Sequence, residues 1–467
     1  MEKTVSPSQK IGGHARQRCI NRSCGGTFEL TDRLYACSRC GGPLEIEVPH
    51  DSPGSDAIAL REAWSSRKAS PEPQDRSGVW RFREFLPFDA TVAVTLFEGN
   101  TPLYDAPRCA EYCGIDALRL KHQGCNPTGS FKDTGMTVAV THAAMLGVQT
   151  TICASTGNTA ASLAAYSARA RFACAILVPY GQISSAKLAQ SMDYGASIFE
   201  VEGNFDDCMR LVQELGDDPS IYVANSINPF RIEGQKTVAI ELMEQCGWRV
   251  PDHVVMPGGN LGNSSALGKG FSELREAGLI DRIPKLHVVQ AQGAAPFVHM
   301  FADLKAHSAM RSHQLPETML MEPHPRTLAT AIKIGAPVSW KKSLRAVLES
   351  GGEVIAVTEQ EIADAKAVIG REGIGCEPAS ATTVAGICRL VAENEIRRDE
   401  SVIAVLTGHL LKDPEYVANY HRGTLTLAAE RDAVCQEQRI QGAFQNRSEL
   451  VPADKSAILK CLESRKA

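Results

Sequence analysis

Between residues 96 and 414, short apolar runs alternate with segments whose apolar positions recur at helical spacing. The runs predict strands over 150–154, 174–178, 197–201, 254–256, 286–290, 353–357 and 402–406. Helical patterns follow most of them, as at 159–169, 205–215 and 264–277. Thr358 and Glu361 form a capping box that opens a helix reaching about residue 371. Strand–helix alternation over such a length predicts a parallel, doubly wound α/β architecture. Residues 134–168 carry no Asp, Glu, Lys or Arg, yet Thr141, His142, Gln149 and Asn158 interrupt the apolar positions. No uninterrupted membrane-spanning run exists there, and the stretch predicts two buried helices with a strand and a site loop between them.

The flanks differ in texture. Residues 49–78 are polar and rich in Pro and Ser, which predicts a linker with a short helix near 57–68. The tail after Pro414 is charged and weakly patterned, leaving an ordered or a mobile extension open. Residues 1–13 lack the apolar core of a secretory signal. Of 467 residues, 49 are basic and 54 acidic, a net charge of −5 that argues against nucleic-acid or polybasic membrane partners. Fifteen cysteines, an odd number along a long chain, point to a reducing, cytoplasmic setting.

Four of those cysteines are grouped. Cys19 with Cys24, and Cys37 with Cys40, form two close pairs separated by twelve residues, each followed by glycine. Short loops bearing two thiolates each suit one tetrahedral ion, so a zinc ribbon is expected; the alternative is a degenerate ribbon that keeps the fold without metal. The other eleven cysteines read as small buried hydrophobes.

Three loops carry the candidate chemistry. Asn126-Pro-Thr-Gly-Ser-Phe-Lys132-Asp133 precedes a helix, Ser155-Thr-Gly-Asn-Thr159 follows the strand ending at Ala154, and Gly258-Gly-Asn-Leu-Gly-Asn-Ser-Ser265 follows another strand. Such loops set free amides and helix dipoles where anions bind in open α/β sheets. The third is no dinucleotide fingerprint, and no Walker A spacing surrounds Lys132. What remains is at least two anion cradles and one lysine among small polar residues, a combination suited to a phosphate-bearing cofactor joined to an amine. A desolvated Lys132 would lose proton affinity and become a nucleophile; the alternative is a solvated surface charge.

These motifs resemble those of the threonine synthase family, within the fold-type II pyridoxal-phosphate enzymes. Asn225-Ser-Ile-Asn-Pro-Phe-Arg-Ile-Glu-Gly-Gln-Lys-Thr237, Cys376-Glu-Pro-Ala-Ser-Ala381 and Thr407-Gly-His-Leu-Leu-Lys-Asp-Pro414 match as well, and the similarity spans about 96–414. Leu410 stands where the family commonly has glycine. The resemblance implies two doubly wound α/β domains behind a zinc-ribbon-like segment. Their expected limits are 1–50 for the ribbon, 51–95 for the linker, 96–140 with 228–420 for the large domain, 141–227 for the small domain and 421–467 for the extension. It implies pyridoxal 5'-phosphate on Lys132, which also serves as mobile base. Asn158 would meet the cofactor's 3-oxygen, Gly259, Asn260, Leu261, Gly262 and Asn263 its phosphate, and Thr407 its ring nitrogen. Helix capping is the alternative for Asn158 and Thr407. Ser155, Thr156, Thr159, Asn225 and Arg231 would hold a small phosphorylated amino acid, O-phosphohomoserine, with a surface salt bridge as the alternative for Arg231. A homodimer is expected, with no nucleic-acid or membrane partner. Rival readings are a phosphoserine-using paralogue resembling cysteate synthase, a serine or threonine dehydratase, and an inactive binding module.

Overall fold

The computed structural model describes residues 15–49, 57–181, 185–306, 316–428 and 438–464. Residues 1–13, Pro53 of the expected linker and Cys435 lie outside them. Strands are numbered in chain order, beginning with β1 (Arg16–Cys19), β2 (Thr27–Phe28) and β3 (Leu44–Glu47). Next come β4 (Leu103–Asp105), β5 (Leu118–His122), β6 (Thr150–Ala154), β7 (Ala173–Pro179), β8 (Ser197–Val201) and β9 (Ile221–Val223). β10 (His253–Pro257), β11 (Lys285–Ala291), β12 (Val354–Val357) and β13 (Val402–Leu406) complete the framework.

Two parallel sheets carry it. The larger has the order β12-β11-β10-β13-β5-β4, with only β4 antiparallel to its neighbour; the smaller has the order β8-β7-β6-β9. Successive residues of the large sheet serve opposite cores. Val254, Met256, Ile403 and Val405 pack with Val238, Leu242, Leu267 and Phe271 of two helices, Phe230–Gln245 and Gly262–Glu276. Val255, Val289, Ala404 and Leu406 pack on the other face against helices Glu359–Arg371 and Pro378–Ala392. Burial on both faces is why these strands read as continuous apolar runs. In the small sheet, Cys153, Ile176 and Val178 face helices Lys132–Met145 and Asn158–Ala170, while Ile152, Leu177 and Val223 face Cys208 and Val212 of helix Phe205–Leu215.

The expected strands and helices are present with ends shifted by a few residues, and Thr358 and Glu361 make the reciprocal bonds of a capping box. The helix expected near 57–68 is Ala57–Arg67. Among the described residues no helix is long and apolar enough to cross a membrane. β4, β5 and β9 are absent from the sequence pattern. β5 alternates apolar residues with Arg119 and Lys121, and Lys121 is fully buried as the ion-pair partner of Glu241. The extension is ordered in part: Ile440 packs with Tyr416, Tyr420, Leu425 and Ala363. Of the cysteines expected in cores, Cys125 is exposed and Cys246, Cys388 and Cys461 are half-buried.

The antiparallel ribbon β2-β1-β3 docks on both halves. Arg33 donates to the Ile221 carbonyl at 2.9 Å, and the Val223 N–H donates to the Tyr35 hydroxyl at 2.8 Å, both on β9. His142, on the Lys132 helix, meets the Leu30 carbonyl at 2.7 Å. On the opposite side Lys269 bonds the Ile46 carbonyl, and Arg345 pairs with Glu45.

Candidate active site

Four loops leave the carboxyl ends of parallel strands, where open α/β sheets bind ligands. Three of the strands, β10, β13 and β5, are adjacent in the large sheet; the fourth, β6, belongs to the small one. Strand order therefore gathers Gly258–Leu261, Thr407–His409 and the lysine loop at one edge, although more than a hundred residues separate each from the next in sequence.

The lysine loop is pinned to the terminal loop by main-chain bonds. Phe131 N–H donates to the Thr407 carbonyl and His409 N–H to the Gly129 carbonyl, each at 2.9 Å. Gly129 has φ +84°, a left-handed turn that glycine adopts without strain. Asp133 is buried and accepts from the Thr128 N–H at 2.7 Å and from the Thr128 and Ser162 hydroxyls at 2.6 Å; burial nonetheless raises its pKa to about 6. Lys132 opens its helix half-buried, with Nζ 4.2 Å from the centre of the Phe131 ring. Burial, and then the positive charge of Arg231, bring its pKa down to about 7, against an upward pull from Glu377.

Close helix packing holds Lys132 and Arg231 in one frame. A Cβ at Gly234 would lie 1.8 Å from the Thr134 carbonyl oxygen, and one at Gly135 would lie 2.6 Å from the Arg231 carbonyl oxygen. Arg231 is 2% exposed, donates from Nη1 to the Ala224 carbonyl at 3.0 Å and leaves Nε without a partner among the described residues. Burial lowers its pKa to about 10, which still keeps it cationic at neutral pH.

Asn158 and Thr407 converge on one carboxylate. Asn158 Nδ2 donates to Glu377 Oε2 and the Thr407 hydroxyl to Glu377 Oε1, each at 2.9 Å. Glu377 is buried, and that burial raises its pKa against the two hydrogen bonds. Inside its motif Glu377 shows no role in the sequence, because a carboxylate before proline reads locally as a helix cap. Lys412 shows none either, and its Nζ donates to Gln190 Oε1 at 2.6 Å. Leu410, the departure from the family pattern, is accommodated by Gly375, where a Cβ would come within 2.7 Å of it.

The third loop turns on Leu261, at φ +63°, into helix Gly262–Glu276. The first N–H groups of a helix have no intrahelical acceptor and favour an anion. Nearby, both amide atoms of Asn263 and Oε1 of Gln235 are buried without partners among the described residues. Of these orphaned groups, Asn263 Nδ2 and Arg231 Nε are donors, the kind a phosphate-bearing cofactor and an anionic substrate need. Ser155, Thr156 and Thr159 are half-buried around the small-sheet loop. Asn225 is engaged differently: its amide pairs with both the N–H and the carbonyl of Ala154 at 3.0 Å, fixing the strand end from which Ser155 departs.

The cysteine sulfurs of residues 19, 24, 37 and 40 all lie within 4.8 Å of one another, with 3.5 Å between Cys19 and Cys40 and 3.7 Å between Cys24 and Cys37. Gly25 (φ +59°) and Gly41 (φ +71°) make the turns of the two loops.

A lysine drawn towards neutrality, a helix-start anion cradle and polar side chains converging at the strand ends suit a phosphate-bearing cofactor held on an amine, and the comparisons place the chain among the pyridoxal-phosphate enzymes of fold type II. The family model of pyridoxal-phosphate dependent enzymes matches residues 94–408. The threonine synthase of Methanocaldococcus jannaschii is 46% identical over 401 residues, covering 85% of this chain and 93% of its own. That of Methanosarcina acetivorans is 42% identical over 418 residues, covering 89% and 97%. Within this class, the chain belongs to the threonine synthase family. The solved threonine synthase of Escherichia coli shares the fold at TM-score 0.63 and 17% identity, over 96% of this chain and 100% of that one.

Proposed function

We propose that the chain converts O-phosphohomoserine and water into threonine and inorganic phosphate, using pyridoxal phosphate held at Lys132. When bound, that cofactor supplies an electron sink that makes the substrate's Cα proton removable. The N–H groups of Gly259 to Asn263 hold its phosphate, favoured by the positive end of helix Gly262–Glu276. Asn158 and Thr407 orient the ring, and Glu377 fixes both of them. Lys132 takes and returns protons at the substrate carbons: an amine with a pKa of about 7 exchanges protons readily at neutral pH, whereas an ordinary lysine stays charged. Arg231 supplies a permanent cation for the substrate phosphate, and Ser155, Thr156 and Thr159 offer hydroxyls beside it. Asn225 acts there by holding the loop. The observation that carries the reading is the position of Lys132 where the four loops meet, its loop pinned to the terminal one by the main-chain bonds of Phe131 to Thr407 and of His409 to Gly129.

The four cysteines hold one zinc ion in this reading. Supporting it, sulfurs around a tetrahedral zinc at about 2.3 Å stand about 3.8 Å apart, close to the separations within the cluster. A cytoplasmic enzyme fits the unpaired cysteines, and the homodimer rests on the family resemblance. Incubation with O-phosphohomoserine tests the activity: threonine and phosphate should appear in equal amounts. Release of phosphate without threonine, or turnover of O-phosphoserine alone, would overturn it.

A further inference from the structure

A cavity of about 550 Å³ opens between helix Glu359–Arg371, helix Pro414–Arg422 and the C-terminal extension. Three basic side chains line it, Lys366, Arg371 and His421, and among the described residues no carboxylate does. Lys366 is 8% exposed, and among the described residues its Nζ has no hydrogen bond or ion pair; the centre of the Tyr416 ring lies 6.0 Å away. Tyr416, 7% exposed, buries a hydroxyl that has no partner either. Asp364, the neighbouring carboxylate, is engaged by the Tyr420 hydroxyl at 2.8 Å and by Gln360 at 2.9 Å. Burial lowers the pKa of Lys366, and the charge of Asp413 pulls it the other way.

A buried ammonium with no hydrogen-bonded counter-charge is costly, and the Lys366 and Arg371 charges add to burial in lowering the pKa of His421. The walls between them are flat and apolar: Tyr416 lies on one side, and Phe444, with the Arg371 guanidinium 4.8 Å from its ring centre, comes from the extension. Cavities of this size accept small organic ligands, whose charged groups such cations recognise. We propose that this cavity binds a small organic anion, a carboxylate or phosphate carried on a flat apolar body. Its lining includes Gly375, Cys376 and Leu410, so the occupant lies against the segment that leads into Glu377 and against the loop that begins at Thr407. The assigned roles of the catalytic loops use none of the three basic residues.

Calorimetric titration of the holoenzyme with benzoate and with phenyl phosphate tests the proposal, with benzyl alcohol as the neutral counterpart. At least one anion should bind with a Kd below about 1 mM and at least about tenfold more tightly than the alcohol. Whichever anion binds separates a carboxylate site from a phosphate site. Lys366→Met should weaken that binding at least about tenfold, whereas Arg231→Ala should leave it intact, which separates the cavity from the active site. If Lys366→Met fails to fold, Arg371→Gln carries the same expectation. Binding of neither anion within that range, equal affinity in the folded cavity variant, or loss of binding in Arg231→Ala overturns the proposal.

Discussion

Gly234→Ala tests whether the contact between two helices sets the geometry of the site. The added Cβ would lie 1.8 Å from the Thr134 carbonyl oxygen and 3.0 Å from Val138 Cγ2. Carbonyl oxygens within a helix cannot rotate away as a flexible side chain can, so the helices must part. Reaching 3.0 Å, below which Cβ atoms are essentially never found, requires about 1.2 Å, the difference between the two distances. Overpacking of this kind costs about 1–3 kcal/mol, a Tm loss of some degrees. The consequence for chemistry is of similar size. Thr134 lies two residues after Lys132, and Gly234 three after Arg231, so the displacement is delivered to both groups. A misplacement of about 1 Å in a reacting constellation costs on the order of 100-fold in rate. The variant should therefore fold with a lowered Tm and lose kcat/KM for O-phosphohomoserine by about two orders of magnitude. Thermal denaturation and steady-state phosphate release measure the two effects. A variant with wild-type Tm and wild-type kcat/KM would refute the reasoning, because the contact would then be looser than the structure has it.

The pKa of Lys132 predicts how the cofactor-free protein recaptures pyridoxal phosphate: only the unprotonated amine attacks, so the rate should rise with pH and level off above about 7. A rate still climbing towards pH 10 would mean an ordinary solvated lysine, and borohydride fixation of the cofactor on another residue would displace Lys132 altogether. Arg231→Ala should lower kcat/KM by about 10- to 150-fold, the worth of a charge-assisted bond to phosphate, while the cofactor spectrum stays normal. Unchanged kcat/KM would make Arg231 purely a holder of the Ala224 carbonyl. Metal analysis should give one zinc per chain. Its removal, or Cys37→Ser, should lower Tm more than kcat, because the ribbon docks on both halves of the protein without entering the cofactor loops. Well under one equivalent in fresh protein counts against the site.

The sequence by itself determined the central strands, the two cysteine pairs and the lysine with its flanking glycines. These are local properties: runs such as Val402–Leu406 are buried on both faces and so must be apolar throughout, and metal or anion loops need their residue types at short spacing. Family resemblance then attached a chemistry to those loops. Tertiary structure decided the rest. β5 was hidden because Lys121 looks like a surface residue until Glu241, on a distant helix, is placed against it. Glu377 reads as a helix cap until the fold brings Asn158 and Thr407 to its two oxygens, and Asn225 reads as a ligand until Ala154 claims its amide. The lowered pKa of Lys132 belongs to the same class. Desolvation and the nearby Arg231 charge depend on what surrounds the amine in space, and no spacing along the chain encodes that neighbourhood.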